Sequence, residues 1–165
     1  MDGFYRAAAV AVHGSDIYFA GAGGCPNYGC KATAYIWKND MSQTIALTDG
    51  SVDASANCMA FSGDTLFVGG YITNASGKKI ACYWRIAGSQ VSAPRLLSDG
   101  ANDCTVNAIS AKGNDIFLVG MAIPYSGGPS AAGWRGYEGT STPISIDATD
   151  YLVPNGFVAW GIYVR

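Results

Sequence analysis

Charge is scarce in this chain, and clustered basic charge is scarcer still. Asp, Glu, Lys and Arg make up 13% of its 165 residues, and among the ten Lys and Arg only Lys78-Lys79 are adjacent. A nucleic-acid surface needs basic residues in patches, so that class of partner is excluded. No apolar run approaches the roughly 18–20 residues of a membrane-spanning helix. No window carries a sustained apolar period of about 3.6 residues, which leaves no amphipathic helix to propose. Met1-Asp2-Gly3 has neither the basic start nor the apolar stretch of a signal peptide, which leaves location open. Histidine occurs once, as His13, so a Ser-His-Asp triad would have to use that residue. No Gly-x-Ser-x-Gly elbow supports one. Gly21-Ala-Gly-Gly24 lacks the strand-to-helix context of a phosphate or dinucleotide loop. No catalytic constellation remains, and the chain reads as a non-enzyme.

What is abundant points to short strands. Hydrophobic residues reach 49%, aromatics 12%, and there are 22 glycines. Apolar and aromatic residues with many glycines suit a folded chain of β-strands joined by tight turns. The net charge of -2 is mild.

The dominant signal is internal repetition. Residues 14–21 read Gly-Ser-Asp-Ile-Tyr-Phe-Ala-Gly, residues 63–70 Gly-Asp-Thr-Leu-Phe-Val-Gly-Gly, and residues 113–120 Gly-Asn-Asp-Ile-Phe-Leu-Val-Gly. A Trp followed by a basic residue comes next in each copy: Trp37-Lys38, Trp84-Arg85, Trp134-Arg135. Then comes an aspartate turn, Leu-Thr-Asp-Gly ending at Gly50 and Leu-Ser-Asp-Gly ending at Gly100, with a degraded Asp147-Ala148 in the third copy. Eight residues beyond each aspartate stands an asparagine (Asn57, Asn107, Asn155), and six beyond that a glycine (Gly63, Gly113, Gly161). The period is 49 (63 − 14), then 50 (113 − 63), then 48 (161 − 113).

Each copy reads as four antiparallel strands. Strand one covers 7–12, 57–61 and 106–111. Strand two is the Ile-Tyr-Phe segment. Strand three carries the Trp, over 33–38 and 80–85, and strand four precedes the aspartate turn, as at 44–47. Four strands in about 40–50 residues is the span of a β-propeller blade. The chain is therefore expected to be all-β, a single propeller domain over 1–165 with blades near 4–54, 55–104 and 105–154. A partial fourth repeat, 155–165, would supply one more first strand.

This order of landmarks resembles the kelch-like propeller repeats of secreted bacterial proteins. The resemblance covers nearly the whole chain. It departs from the pattern in that the double glycine occurs only once, as Gly69-Gly70, and the WD signature of the other large propeller class is absent. It implies a bacterial protein with an extracellular or cell-surface location. Three blades fall short of the usual four to eight. The ring is expected to close by oligomerisation, two chains giving six blades, or to belong to a longer propeller; a different β-fold is the remaining alternative.

The five cysteines bear on chemistry only locally. Cys25 and Cys30 bracket a loop-like segment, open to reading as a disulfide-closed loop or as two ordinary thiols. Zinc lacks ligands. Cys58, Cys82 and Cys104 read as small buried residues. Repetition sorts the remaining candidates. The aspartates Asp49, Asp53, Asp99, Asp103, Asp147 and Asp150 recur in register, which favours turn-capping. A cation site, calcium by chemistry, at Asp49, Asp53, Asp99 and Asp103 is the alternative, and glycosidase-like catalysis by paired carboxylates is a weaker one. The recurrent Trp residues read as packing between blades, and His13 as a solvated turn residue. Ligand binding is better sought among residues that do not repeat, in the loops between strands two and three: Asn27, Tyr28, Tyr71, Asn74 and Tyr125. Asn74-Ala-Ser76 has the form of a glycosylation sequon and is taken as chance. The loops between strands two and three should share a face with the aspartate turns. The expected function is a non-catalytic binding module, carbohydrate-binding in the manner of a lectin through those loops. The alternative is a structural or protein-interaction segment of a larger secreted propeller.

Overall fold

A computed structural model of the chain describes residues 4–25, 29–40, 42–113, 115–123, 128–137 and 144–146. Those residues are all-β and form three antiparallel sheets in chain order, with no helix among them. The first sheet holds β1 (Phe4–His13), β2 (Asp16–Cys25), β3 (Thr33–Lys38) and β4 (Gln43–Ala46), each hydrogen-bonded to the next. The second holds β5 (Ala54–Ser62), β6 (Thr65–Thr73), β7 (Lys79–Ala87), β8 (Gln90–Val91) and β9 (Arg95–Leu96), with both short strands paired to β7. The third holds β10 (Asp103–Lys112), β11 (Asp115–Ile123), β12 (Ser130–Tyr137) and β13 (Ile144–Ile146). The fourth strand of the middle sheet is split around Pro94, which has no N–H to give the ladder.

The middle sheet is buried on both faces, and the period-2 alternation of β7 shows how. Cys82, Trp84 and Ile86 join Ala20, Ala34 and Ile36 of the first sheet in one core. Ala81 and Tyr83 point the other way and join Val106, Ile116, Leu118 and Trp134 of the third sheet in a second core. Trp84 and Trp134 are thus inter-sheet packing residues, as their recurrence suggested. Cys58, Cys82 and Cys104 are buried free thiols.

The first strand of each sheet starts about three residues earlier than the sequence pattern indicated, because each carries a β-bulge. The register slips between Ala7 and Ala9, between Ala56 and Cys58, and between Val106 and Ala108. The extra residues are Ala8, Asn57 and Asn107, so the recurrent asparagine marks the bulge itself. A bulge reverses which side chains face which way. In β5, Ala54 and Ala56 face the first sheet before it, whereas Cys58 faces the third sheet after it.

The two recurrent glycines of each copy, one in the hairpin turn and one inside the second strand, have different physical reasons. Gly14, Gly63 and Gly113 occupy hairpin turns with φ of 61°, 54° and 58°, the left-handed region that L side chains avoid, with open space around them. Gly21, Gly70 and Gly120 sit where the bulge brings the opposite backbone close. A Cβ there would overlap the carbonyl oxygens of Arg6, Ser55 and Thr105 respectively.

Candidate functional site

The repeating polar residues are occupied in holding the sheets and loops. Asp49 and Asp99 each accept the backbone N–H two residues on, from Ser51 and Ala101, both at 2.9 Å. The Ser51 hydrogen bonds hold the Asp49 carboxyl below the ordinary range. Asp53 accepts the Ala32 N–H at 2.9 Å and meets Lys31 Nζ at 3.3 Å. Asp103 repeats this one sheet later, accepting the Lys79 N–H at 2.8 Å and meeting Lys78 Nζ at 3.4 Å. The Lys79 N–H, then the charge of Lys78, lowers the Asp103 pKa. These four carboxylates each serve a turn or the start of the preceding sheet's third strand. Among the described residues no group of three or more His, Cys, Asp or Glu side chains converges. Asp147 and Asp150 lie outside the described residues.

The basic residues after Trp37 and Trp134 are explained in the same way. Lys38 lies 2.7 Å from Asp16 and 5.6 Å from the Tyr18 ring centroid, and Arg135 lies 3.1 Å from Asp115 and 5.3 Å from that of Phe117. His13 is partly solvent-exposed at its turn as expected, but it also has partners. Its ring stacks on Phe61 with centroids 4.4 Å apart and its Nε2 lies 3.1 Å from Asp64 Oδ1, so it links the first hairpin to the second.

Of the expected ligand residues, Asn27, Tyr28 and Tyr125 lie outside the described residues. Asn74 uses both ends of its amide structurally. Its Oδ1 accepts the N–H groups of Ser76 and Lys78 at 3.0 and 2.9 Å, and its Nδ2 donates to the Gly100 carbonyl at 3.1 Å. That last bond, with the Asp103–Lys79 pair, places the β6–β7 loop beside the aspartate turn at Gly100, on the shared face expected. Cys30 is disulfide-bonded; the side chain of Cys25 lies outside the described residues.

Tyr71 is the expected ligand residue that opens onto a cleft. The cleft, about 230 Å³, lies where the first and second sheets meet, and is lined by Phe4, Tyr5, Arg6, Ser55 and Tyr71 among others. Phe4 is 88% exposed and Tyr5 54% exposed, so aromatic surface faces solvent at its rim. Arg6 Nη2 reaches Ser55 Oγ at 3.5 Å. The Tyr71 ring lies 4.6 Å below Lys79 Nζ, and its hydroxyl pKa is raised by burial, with Arg6 acting in the opposite sense. A larger cleft of about 540 Å³ lies between Thr48, Asp49 and Ser51 on one side and Ile72 and Pro94 on the other.

Sequence reasoning passed over Tyr5 and Arg6 because it sought non-repeating residues only in loops. Arg6 stands at the register position of Ser55 and Thr105, the residues whose carbonyls crowd Gly70 and Gly120. The same criterion applied to the first strand singles it out. No helix among the described residues is long and apolar enough to cross a membrane. No protein-family model matches this chain, and no curated protein matches it.

Proposed function

We propose that the chain is a non-catalytic carbohydrate-binding module, that its three sheets are blades of a propeller of kelch-like type, and that sugar binds in the cleft between the first two. The observation that carries this reading is the company Tyr71 keeps. Exposed aromatic surface from Phe4 and Tyr5 can stack on the apolar face of a pyranose ring. The Arg6 guanidinium and the Tyr71 hydroxyl line the same cleft, a pair suited to ring hydroxyls, over a floor formed by the buried Ser55. The recurrent carboxylates are spent on turns and lysines, which favours binding over glycoside hydrolysis. The disulfide at Cys30 suits an oxidising, extracellular setting, where glycans are displayed.

A glycan array followed by calorimetry on the 165-residue chain tests the reading. A glycan ligand is expected, with affinity falling at least about tenfold in Tyr71→Ala and in Arg6→Ala while the far-ultraviolet circular dichroism is unchanged. Absence of binding to every glycan, or full affinity in both variants, would rule the reading out. The second reading, a protein-interaction segment, rests on the apolar outer face of the first sheet.

A further inference from the structure

The two interfaces between sheets use the same register positions twice. The face that the middle sheet turns to the first sheet includes Met59, Phe61, Leu66, Val68 and Trp84. Aligned on the hairpin pairs Val12↔Ile17 and Phe61↔Leu66, those positions in the first sheet are Val10, Val12, Ile17, Phe19 and Trp37. Among the described residues no sheet packs on them: Val10 is 61% exposed, Val12 66% and Ile17 41%, while Trp37 is covered by the Tyr5 ring of its own sheet. A recess of about 340 Å³, between Tyr5, Tyr35, Trp37 and Thr44, opens on the same side. An apolar face of this kind marks a site of association.

The complementary face is present on the same chain. The middle sheet turns Cys58, Ala60 and Phe67 toward the third sheet. The same positions in the third sheet, aligned on Ala60↔Phe67 and Ser110↔Phe117, are Ala108, Ser110 and Phe117. The chain therefore carries one half of the repeating interface on its first sheet and the other half on its third.

We infer that the outer face of β1–β4 docks against the outer face of β10–β13 of a second copy of this chain. The pairing copies an interface that the molecule already forms twice internally, which is why the occupant is a second copy and not an unrelated protein. Each copy offers both faces, so one two-fold operation makes both contacts at once and leaves no open end to polymerise. Six sheets then fall within the range of closed propellers. That closure rests on the blade reading; the pairing of faces does not.

The test is the solution mass of the 165-residue chain, by sedimentation equilibrium, with circular dichroism as the check on folding. The expected mass is twice the 17.1 kDa of one chain. Val12→Asp on the first face and Ser110→Arg on the third are each expected to weaken association at least about tenfold. Mixing the two variants pairs the intact third sheet of one with the intact first sheet of the other, and restores the dimer mass. A wild-type monomer at high micromolar concentration overturns the proposal. So does a Ser110→Arg variant that dimerises as tightly as wild type, which would mean pairing of first sheet with first sheet. A mixture that stays monomeric overturns it too. Tyr5 borders both the recess and the glycan cleft, so the cleft is read separately through Tyr71→Ala, a residue that lines the cleft and not the recess.

Discussion

Asn57 Nδ2 donates to Thr105 Oγ1 at 2.9 Å, joining the bulge of the second sheet to β10, the first strand of the third. The same Nδ2 donates to the Val106 carbonyl at 3.0 Å, and Asn57 Oδ1 accepts from Ser55 Oγ at 2.8 Å. With Arg6 reaching Ser55 from the first sheet, a line of hydrogen bonds crosses all three sheets. One amide thus satisfies a bulge and ties two repeats together. This gives Asn57 a structural reason for its fixed distance before the hairpin glycine.

Asn57→Ala is expected to destabilise the fold by about 1–3 kcal/mol, since it removes two inter-sheet bonds and leaves the Ser55 hydroxyl without its acceptor. Urea unfolding followed by Trp fluorescence measures this. A change within a few tenths of a kcal/mol would show that the link between sheets lies elsewhere.

Gly63→Ala and Gly70→Ala separate the two glycine roles. At Gly63 only the backbone angle resists, and a cost of about 1–2 kcal/mol is expected. At Gly70 the new methyl would overlap the Ser55 carbonyl, and both strands must move. The expected cost there is larger, about 3 kcal/mol or more, of the kind produced by severe overpacking. Equal melting temperatures for the two variants would refute the distinction.

Stability should depend on pH through the paired carboxylates. Asp16 is lowered chiefly by its bond to Lys38, Asp49 by Ser51 and Asp103 by the Lys79 N–H, all from an ordinary value of 3.8. A carboxyl whose folded pKa lies below its unfolded one contributes stability that is fully present above the unfolded value and lost as pH falls through the folded value. The melting temperature is therefore expected to be flat from neutral pH down to about 5 as far as these groups decide it, and to fall below about 4. Asp103→Asn should start lower at neutral pH and lose less on acidification. A wild-type curve as flat as the variant's below that point would contradict the assignment.

The three buried thiols should be inert. Burial pushes Cys58 up to about 12, Cys82 well above its ordinary value, and Cys104 upward as well. Thiolate, the reactive form, is then almost absent at pH 8. A thiol-specific chromogenic reagent is expected to leave all three unmodified in the native chain and to titrate all three in denaturant. Fast native labelling at any of them would show that its core opens readily.

Much of the fold was legible because repetition reports itself. Landmarks at a constant period locate the hairpins, the third strands of the first two copies to within a residue or two, and the three sheets in chain order. Their recurrence also pointed to structural polar residues, although Asn74, which does not recur, is structural as well. Asp53 and Asp103 perform one task at two places. The bulges were not legible, because the strands that carry them run through small residues such as Ala7-Ala8-Ala9, whose apolar pattern does not show the change of face. The cleft at Tyr71 was half legible. The tyrosine stood out as non-repeating, whereas Tyr5 and Arg6 come from a strand 49 residues before Ser55, and only packing brings them together.

The local pattern of residues thus settled strand content, turn positions and the number of sheets. Those features depend on backbone preference and side-chain alternation within a few residues. Which faces meet, which glycine is sterically required, and which aromatic surface is left bare on the first sheet were decided by the tertiary structure alone. They depend on distances between residues about fifty positions apart, which no local pattern encodes.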